Sequence, residues 1–209
     1  MHRFSHHTGT VMPLRRSDID TDQISPARFV PYYARGGYTN ILFADWRDDP
    51  SFVLNQPEHQ GATILVAGTN FGTGSSRESA VWALQSAGFR VVLAPRFGDI
   101  FHGNALTRGL PAVTLPTSEI ETLWDLVDAD PWLEVTVDLR TCQVRHSGRT
   151  LPFEIDPAAR ERLLRGADLV TETLRHDDRI ARFERARRPQ LPRTFAAGRP
   201  HPDPLEAAP

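Results

Sequence analysis

The sequence contains no lysine; all 24 of its basic residues are arginine. That absence removes the phosphate-binding loop G-x-x-x-x-G-K-[ST] and any catalysis that runs through a lysine amine. There is a single cysteine, Cys142. It allows no intramolecular disulfide and falls short of the roughly three or four cysteine ligands an iron–sulfur cluster normally takes. A lone cysteine beside a predicted strand is expected to be inert packing. No apolar stretch approaches the roughly 20 residues needed to span a bilayer. The N-terminus is polar and rich in histidine and lacks the apolar core of a signal peptide. An excess of one charge is missing too: the net charge is −2 and the isoelectric point about 6.4. Neither nucleic acid nor an anionic membrane is therefore an expected partner. These absences leave a soluble, cytoplasmic protein as the expectation, and 209 residues suffice for one domain with a substantial core.

The chemistry-bearing residues are concentrated in one stretch, Gly68-Thr69-Asn70-Phe71-Gly72-Thr73-Gly74-Ser75-Ser76-Arg77-Glu78-Ser79. Before it, the run from Ala62 to Ala67 is short, apolar and rich in β-branched residues, and reads as a buried strand. After it, Ala80 to Gly88 carries apolar side chains at helical spacing and ends on a glycine. Ser75 and Glu78 stand in the S-x-x-E order of a capping box, which predicts that the helix starts there. A second apolar run, Arg90 to Ala94, completes a strand–loop–helix–strand unit. Such units build parallel sheets and place the first loop at the carboxyl edge, where ligands bind in open α/β folds.

Gly68, Gly72 and Gly74 let the backbone turn tightly and bring bare N–H groups close to a ligand. A helix start adds unpaired donors and the positive end of a dipole, which together seat an anion. The Arg77 guanidinium can grip a carboxylate through two parallel hydrogen bonds. A serine among oriented donors can have its alkoxide stabilised enough to act as a base. The stretch reads as a carboxylate-binding loop with Ser75 as candidate base; on spacing alone, a capped helix after a loose turn is the alternative. Neither the dinucleotide fingerprint G-x-G-x-x-G nor the nucleophile elbow G-x-S-x-G occurs in it.

Asn70 to Glu78, with Trp82-Ala83-Leu84, resembles the signature of the aconitase-type swivel domain. More narrowly, it is similar to the small subunits of 3-isopropylmalate dehydratase, the leucine-pathway isomerase. Other stretches agree in the same order: Asp20-Thr21-Asp22-Gln23-Ile24 with Pro26-Ala27-Arg28-Phe29, Leu42 to Arg47, Asp99-Ile100-Phe101 with Gly103-Asn104, and Thr173 to Asp178. The resemblance implies an α/β fold over residues 1–188, a single swivelling β/β/α domain as in the aconitase C-terminal domain, with a βαβ unit carrying the active-site loop. It implies a heteromeric hydro-lyase that interconverts 2- and 3-isopropylmalate by dehydration and rehydration. A separate large subunit would hold a [4Fe–4S] cluster, this chain would bind no metal, and neither would be active alone.

Residue by residue, the resemblance makes Ser75 the base that removes the proton on the carbon next to a carboxylate. The N–H groups around Gly74 to Arg77 would hold down its negative charge. Arg77 would bind the substrate carboxylate, assisted by Ser76 and Arg47. Asp22 is placed near the active site, with Ser25 beside it. The family loop that reads the substrate's side group resembles Arg-Thr-Gly-Phe. Arg35, Gly37 and Tyr38 match it, with Gly36 where threonine is usual and a phenol in place of a phenyl. Ser79 stands where histidine is usual, and Thr73 where many relatives have cysteine. These departures keep two alternatives open: a paralogous small subunit acting on a methylmalate- or homoaconitate-type diacid, or a non-catalytic binding or regulatory domain that kept the fold.

Elsewhere the chain carries simpler signals. His2, His6 and His7 lie at an expected mobile terminus and lack the acidic or cysteine complement of a metal site. Met12 and Leu14 predict a short first strand. Asp18, Asp20 and Asp22 lack the glycine and distal glutamate of a calcium loop and read as a polar turn. Phe97 to Gly109 predicts a helix with His102 on its surface, and Ala112 to Leu115 a strand. Ser118 to Asp128 predicts a helix capped by Ser118 with a core stripe of Ile120, Leu123, Trp124 and Val127. Leu133 to Leu139 alternates as a strand, and Ser147-Gly148 turns a hairpin toward Leu151, Phe153 and Ile155. Pro157 to Arg165 and Asp168 to Arg188 predict two amphipathic helices, and residues 189–209 a proline-rich disordered tail.

Overall fold

The computed structural model describes residues 1–29 and 40–187, and the chain falls into two compact units, Met1–Glu172 and Thr173–Pro209. The strands of the first unit are β1 (His6–Leu14), β2 (Ile64–Ala67), β3 (Val91–Ala94), β4 (Ala112–Thr114), β5 (Glu134–Asp138), β6 (Gln143–His146) and β7 (Arg149–Pro152). They form one sheet in the order β4-β3-β2-β1-β5-β6-β7. β1 joins its two halves: Val11–Leu14 pair parallel with β2, and His6–Thr10 pair antiparallel with β5. The strand is thus longer than the short one the sequence predicts. Its antiparallel partner is remote in sequence and leaves no local trace. His6 and His7 lie in a paired strand rather than at a mobile terminus, and His7 Nε2 hydrogen-bonds Thr63 Oγ1 at 2.7 Å.

The parallel half is apolar on both faces because it is covered on both. Successive strand residues point to opposite sides. Leu65, Ala67, Val92 and Ala94 pack on one face with Val81 and Leu84 of α2 (Glu78–Ser86) and Phe101 of α3 (Asp99–Thr107). Ile64, Val66, Val91 and Leu93 pack on the other with Ile120, Leu123 and Val127 of α4 (Thr117–Ala129). Each buried side chain of this size contributes about 1.5–3 kcal/mol, so this two-sided core fixes the sheet edge from which the site rises. β2 and β3 are parallel neighbours joined through α2, the expected βαβ unit. In the antiparallel half, Ser147 and Gly148 both take positive φ (44° and 75°) and close the expected β6–β7 hairpin. α5 (Pro157–Arg165) is capped by Asp156, which accepts from Ala159 N, and ends at Gly166 with φ +70°.

Several boundaries differ from expectation. α2 begins at Glu78 with Arg77 as its N-cap, and the Ser75/Glu78 capping box does not form. Arg77 is extended (φ −128°, ψ 103°) where a helix capped at Ser75 would need it helical, so the serines stay in the turn before the helix. Glu78 pairs instead with Arg108. A capping box does form around α1 (Thr21–Ile24), in the segment read as a polar turn. Asp20 Oδ1 accepts from Gln23 N, and Gln23 Oε1 accepts from Asp20 N, both at 2.8 Å. α4 starts one residue before Ser118, which is not its cap. The helix expected over 168–188 is two, α6 (Leu169–Leu174) and α7 (Asp177–Ala186). Asp177 and Asp178 occupy the first turn of α7, where negative charge favours a helix start. His102 is part-buried, its Nε2 donating to Ala112 O at 3.1 Å. Cys142 is half-buried, its Sγ 3.6 Å from Leu139 O. The proline-rich tail lies outside the described residues. Among the described residues, no helix is long and apolar enough to cross a membrane.

Candidate active site

The segment after β2 is held in place from both sides. On one side, Gly68 N donates to Arg16 O (2.9 Å), Asp18 N to Thr69 O (2.8 Å), Gly72 N to Ile19 O (2.7 Å) and Thr21 N to Thr73 O (3.0 Å). On the other, Phe71 N donates to Arg96 O (3.0 Å) and Gly98 N to Phe71 O (2.9 Å). Asn70, Gly72 and Gly74 take positive φ (56°, 76° and 85°), which turns the backbone at every second residue. Asn70 is among the few residue types that visit this region routinely, and its Nδ2 is fixed on Asp18 Oδ1 at 2.6 Å.

Glycine is required at position 72 by space as well as by φ. A Cβ there would lie 2.3 Å from Phe101 Cγ. Below the turn, Phe71 is fully buried and packs edge-on against Phe101 and Phe97, at centroid distances of 5.2 and 6.4 Å. Above it, Gly74, Ser75 and Ser76 are exposed. Among the described residues, no acceptor takes the N–H groups of Gly74, Ser75 and Ser76 or the Ser75 hydroxyl. An aromatic floor therefore carries a polar rim of donors and hydroxyls aimed at solvent.

Arg77 is tied to this rim. Its Nη1 pairs with Asp22 Oδ1, and Ala27 N donates to the same oxygen at 2.9 Å. The Arg77 side chain is 19% exposed and that of Asp22 50%. The hydrogen bond from Arg77 holds the Asp22 carboxyl below the ordinary aspartate value, the Ala27 amide and the Arg77 charge adding to it against burial. Two further contacts run beneath the rim. Thr21 Oγ1 donates to Ser75 O at 2.8 Å, and the buried Ser25 Oγ donates to Ser79 Oγ at 3.3 Å. A cleft of about 280 Å³ opens beside α1, lined by Asp20, Asp22, Gln23, Ala27, Arg28 and Asp45. Arg28 and Asp45 pair across it, with Arg28 Nη1 3.2 Å from Asp45 Oδ2.

The structure thus brings together Asp22, Gly74, Ser75, Ser76 and Arg77. Arg47 sits on the neighbouring segment, where its Nε donates to Leu42 O at 3.0 Å and burial lowers the guanidinium from its ordinary value. Arg35, Gly37 and Tyr38, with Gly36, lie outside the described residues. Sequence reasoning missed Thr21 and the α1 cap. The signal was present as Asp20-x-x-Gln23, which is the capping-box order with an aspartate at the cap.

Three family models match the chain. They are the aconitase C-terminal domain over residues 1–118, a model described as LeuD_N over 121–157, and the C-terminal domain of the small subunits of 3-isopropylmalate dehydratase over 173–197. The chain is 58% identical over 189 residues to a protein of Acidothermus cellulolyticus named 3-isopropylmalate dehydratase small subunit, a match spanning 90% of this chain and 95% of that one. A protein of the same name from Thermobifida fusca is 54% identical over 194 residues, 93% of this chain and all of its own. Among solved structures, the 3-isopropylmalate dehydratase (leuD) of Methanocaldococcus jannaschii matches with a TM-score of 0.60 at 26% identity. That match covers 85% of this chain and 98% of the other.

Proposed function

The chain belongs to the family of 3-isopropylmalate dehydratase small subunits, and from that premise we propose how its residues act in the reaction. As such a subunit it takes part in a hydro-lyase of leucine biosynthesis. The relatives' names favour this over the diacid-shifted and non-catalytic alternatives. We place the enzyme in the cytoplasm, with isopropylmalate as substrate and a large subunit as partner.

The observation that carries the mechanism is the Ser75 rim: a hydroxyl between N–H groups, none of them with a partner among the described residues, beside an arginine anchored on Asp22. Arg77 takes a substrate carboxylate on its guanidinium, and the pair with Asp22 fixes the direction in which that guanidinium faces. Ser76 and the N–H groups of the turn complete the carboxylate seat. Ser75, as alkoxide, removes the proton from the carbon next to that carboxylate. The N–H groups around Gly74 to Arg77 and the first turn of α2 hold down the negative charge of the alkoxide before it takes the proton, as preorganised donors. Returned to the substrate, the proton serves the rehydration step.

The resemblance also implies a [4Fe–4S] cluster, and this chain does not suit one. It has one cysteine, half-buried against Leu139 O. Among its described residues no group of three His, Cys, Asp or Glu could hold a metal. We assign the cluster, and departure of the substrate hydroxyl, to the large subunit.

The test is anaerobic reconstitution with a cluster-loaded large subunit, following the unsaturated intermediate by ultraviolet absorbance. Isopropylmalate should turn over, and Ser75→Ala should abolish turnover while assembly persists. An active Ser75→Ala enzyme would overturn the assignment of the base.

A further inference from the structure

We propose that Thr21 positions the serine base, an inference that rests on the assignment of Ser75 and deepens it. α1 lies alongside the serine turn and meets it at three levels. At its first residue, Thr21 N donates to Thr73 O (3.0 Å) and Thr21 Oγ1 to Ser75 O (2.8 Å). At its second, the Asp22 carboxylate meets Arg77. At the residue that closes the helix, Ser25 Oγ meets Ser79 Oγ. A helical turn brings residues i and i+4 to one face, so Thr21 and Ser25 bracket the segment whose alternate residues are 73, 75, 77 and 79.

Of these three contacts, Thr21's alone ends on Ser75 itself. The Ser75 side chain has no hydrogen-bond partner among the described residues, and the preceding Gly74, at φ +85°, supplies freedom rather than restraint. What fixes the serine is its carbonyl. The donor that holds it is 1% exposed. β-Branching restricts its χ1, and the Asp20–Gln23 capping box anchors its backbone. Holding the peptide after Ser75 sets the direction of the Cα–Cβ bond, and with it where the hydroxyl points. Thr21 touches no substrate in this arrangement; it acts through Ser75.

Thr21→Val removes the hydroxyl and keeps the shape, whereas Thr21→Ser keeps the hydroxyl and loses a methyl group. In the enzyme assembled with its large subunit, Thr21→Val should lower kcat about 10- to 100-fold, as misplacing a reacting group by roughly 1 Å does, with KM for isopropylmalate unchanged. Thr21→Ser should return kcat close to the unsubstituted value. Equal losses in the two variants would assign the effect to packing and overturn the proposal, as would an undiminished kcat in Thr21→Val. If Thr21→Val fails to assemble, Thr21→Ser and Thr21→Ala decide: serine must exceed alanine in kcat, and equal values overturn the role. Ser75→Ala run in parallel separates the two levels. Loss of turnover there with a silent Thr21→Val removes only the positioning role. Retained turnover in Ser75→Ala removes the base and its positioning residue together.

Discussion

Gly72→Ala should destabilise the small subunit far more than the same change at Gly61, although both glycines have nearly the same backbone angle. Gly72 has φ +76° and Gly61 φ +82°. Forcing an L-residue into this region costs about 1–2 kcal/mol at either position. At Gly61 nothing lies within 4 Å of the new methyl group, so that is the whole cost. At Gly72 the methyl would lie 2.3 Å from Cγ and 2.6 Å from Cβ of Phe101. Phe101 is 1% exposed and packed edge-on against Phe71, so it has no free volume to retreat into. Overpacking of this kind adds about 1–3 kcal/mol, for a total of roughly 2–5 kcal/mol. The melting temperature should then fall by about 4–20 °C, and urea unfolding of both variants measures the difference directly. Phe101→Ala in the Gly72→Ala background isolates the steric part. With the ring gone, the cost of the glycine change should drop to the Gly61 value, a coupling of at least about 1 kcal/mol. Equal destabilisation at 61 and 72, or no coupling to Phe101, would refute the packing argument.

Burial, and then the Arg149 charge, push the His146 imidazole below its ordinary value, and His7 and His59 shift the same way, mainly through burial. A histidine with a lowered folded-state pKa binds its proton more readily when unfolded. Stability should therefore be complete above about pH 6.5 and decline as pH falls below it. His146, 3% exposed, should contribute a slope of up to about 1.4 kcal/mol per pH unit. Urea midpoints that rise on acidification would contradict this, and His146→Phe should flatten the decline. Asp22→Asn should raise KM for isopropylmalate about fivefold, the equivalent of roughly 1 kcal/mol for a partly exposed ion pair, and leave kcat less affected. Because Arg77 holds the Asp22 carboxyl below the usual range, the pair is lost only as pH falls through that lowered value. KM should therefore show no titration from Asp22 near neutrality. A kcat loss as deep as that of Ser75→Ala would give Asp22 a role in the chemistry itself.

What was legible in the sequence was local. Glycines 68, 72 and 74 beside two serines and an arginine announce a turn that presents donors, and the flanking apolar runs announce the strands on either side. Ser147-Gly148 announces a hairpin in the same way. What was not legible depends on contacts across the chain. The capping box proposed for Ser75 and Glu78 is defeated by the extended backbone of Arg77 between them, which sequence permits without dictating. Arg77 turns out to be shared with Asp22, 55 positions earlier in the sequence, and the first half of β1 exists because β5 pairs with it. Thr21 gave no signal as an isolated threonine; its meaning comes from the carbonyl it reaches.

The shared strand β1 also orders events in time. His7 reaches Thr63, 56 positions away, whereas Thr8 reaches Thr136, 128 positions away. On a ribosome adding about 5–20 residues per second, the second partner is made roughly 6–25 s after β1, and the first within about 3–11 s. The parallel half can therefore zip against β1 while the antiparallel half is still being synthesised, and the long-range pairing bears the larger loop-closure cost. Until β5 arrives, His6 to Thr10 present an open ladder edge to the crowded cell, the kind of edge that pairs with the wrong chain. A nascent chain arrested before Glu134 would carry that edge uncovered and should engage chaperones longer than one arrested after Asp138.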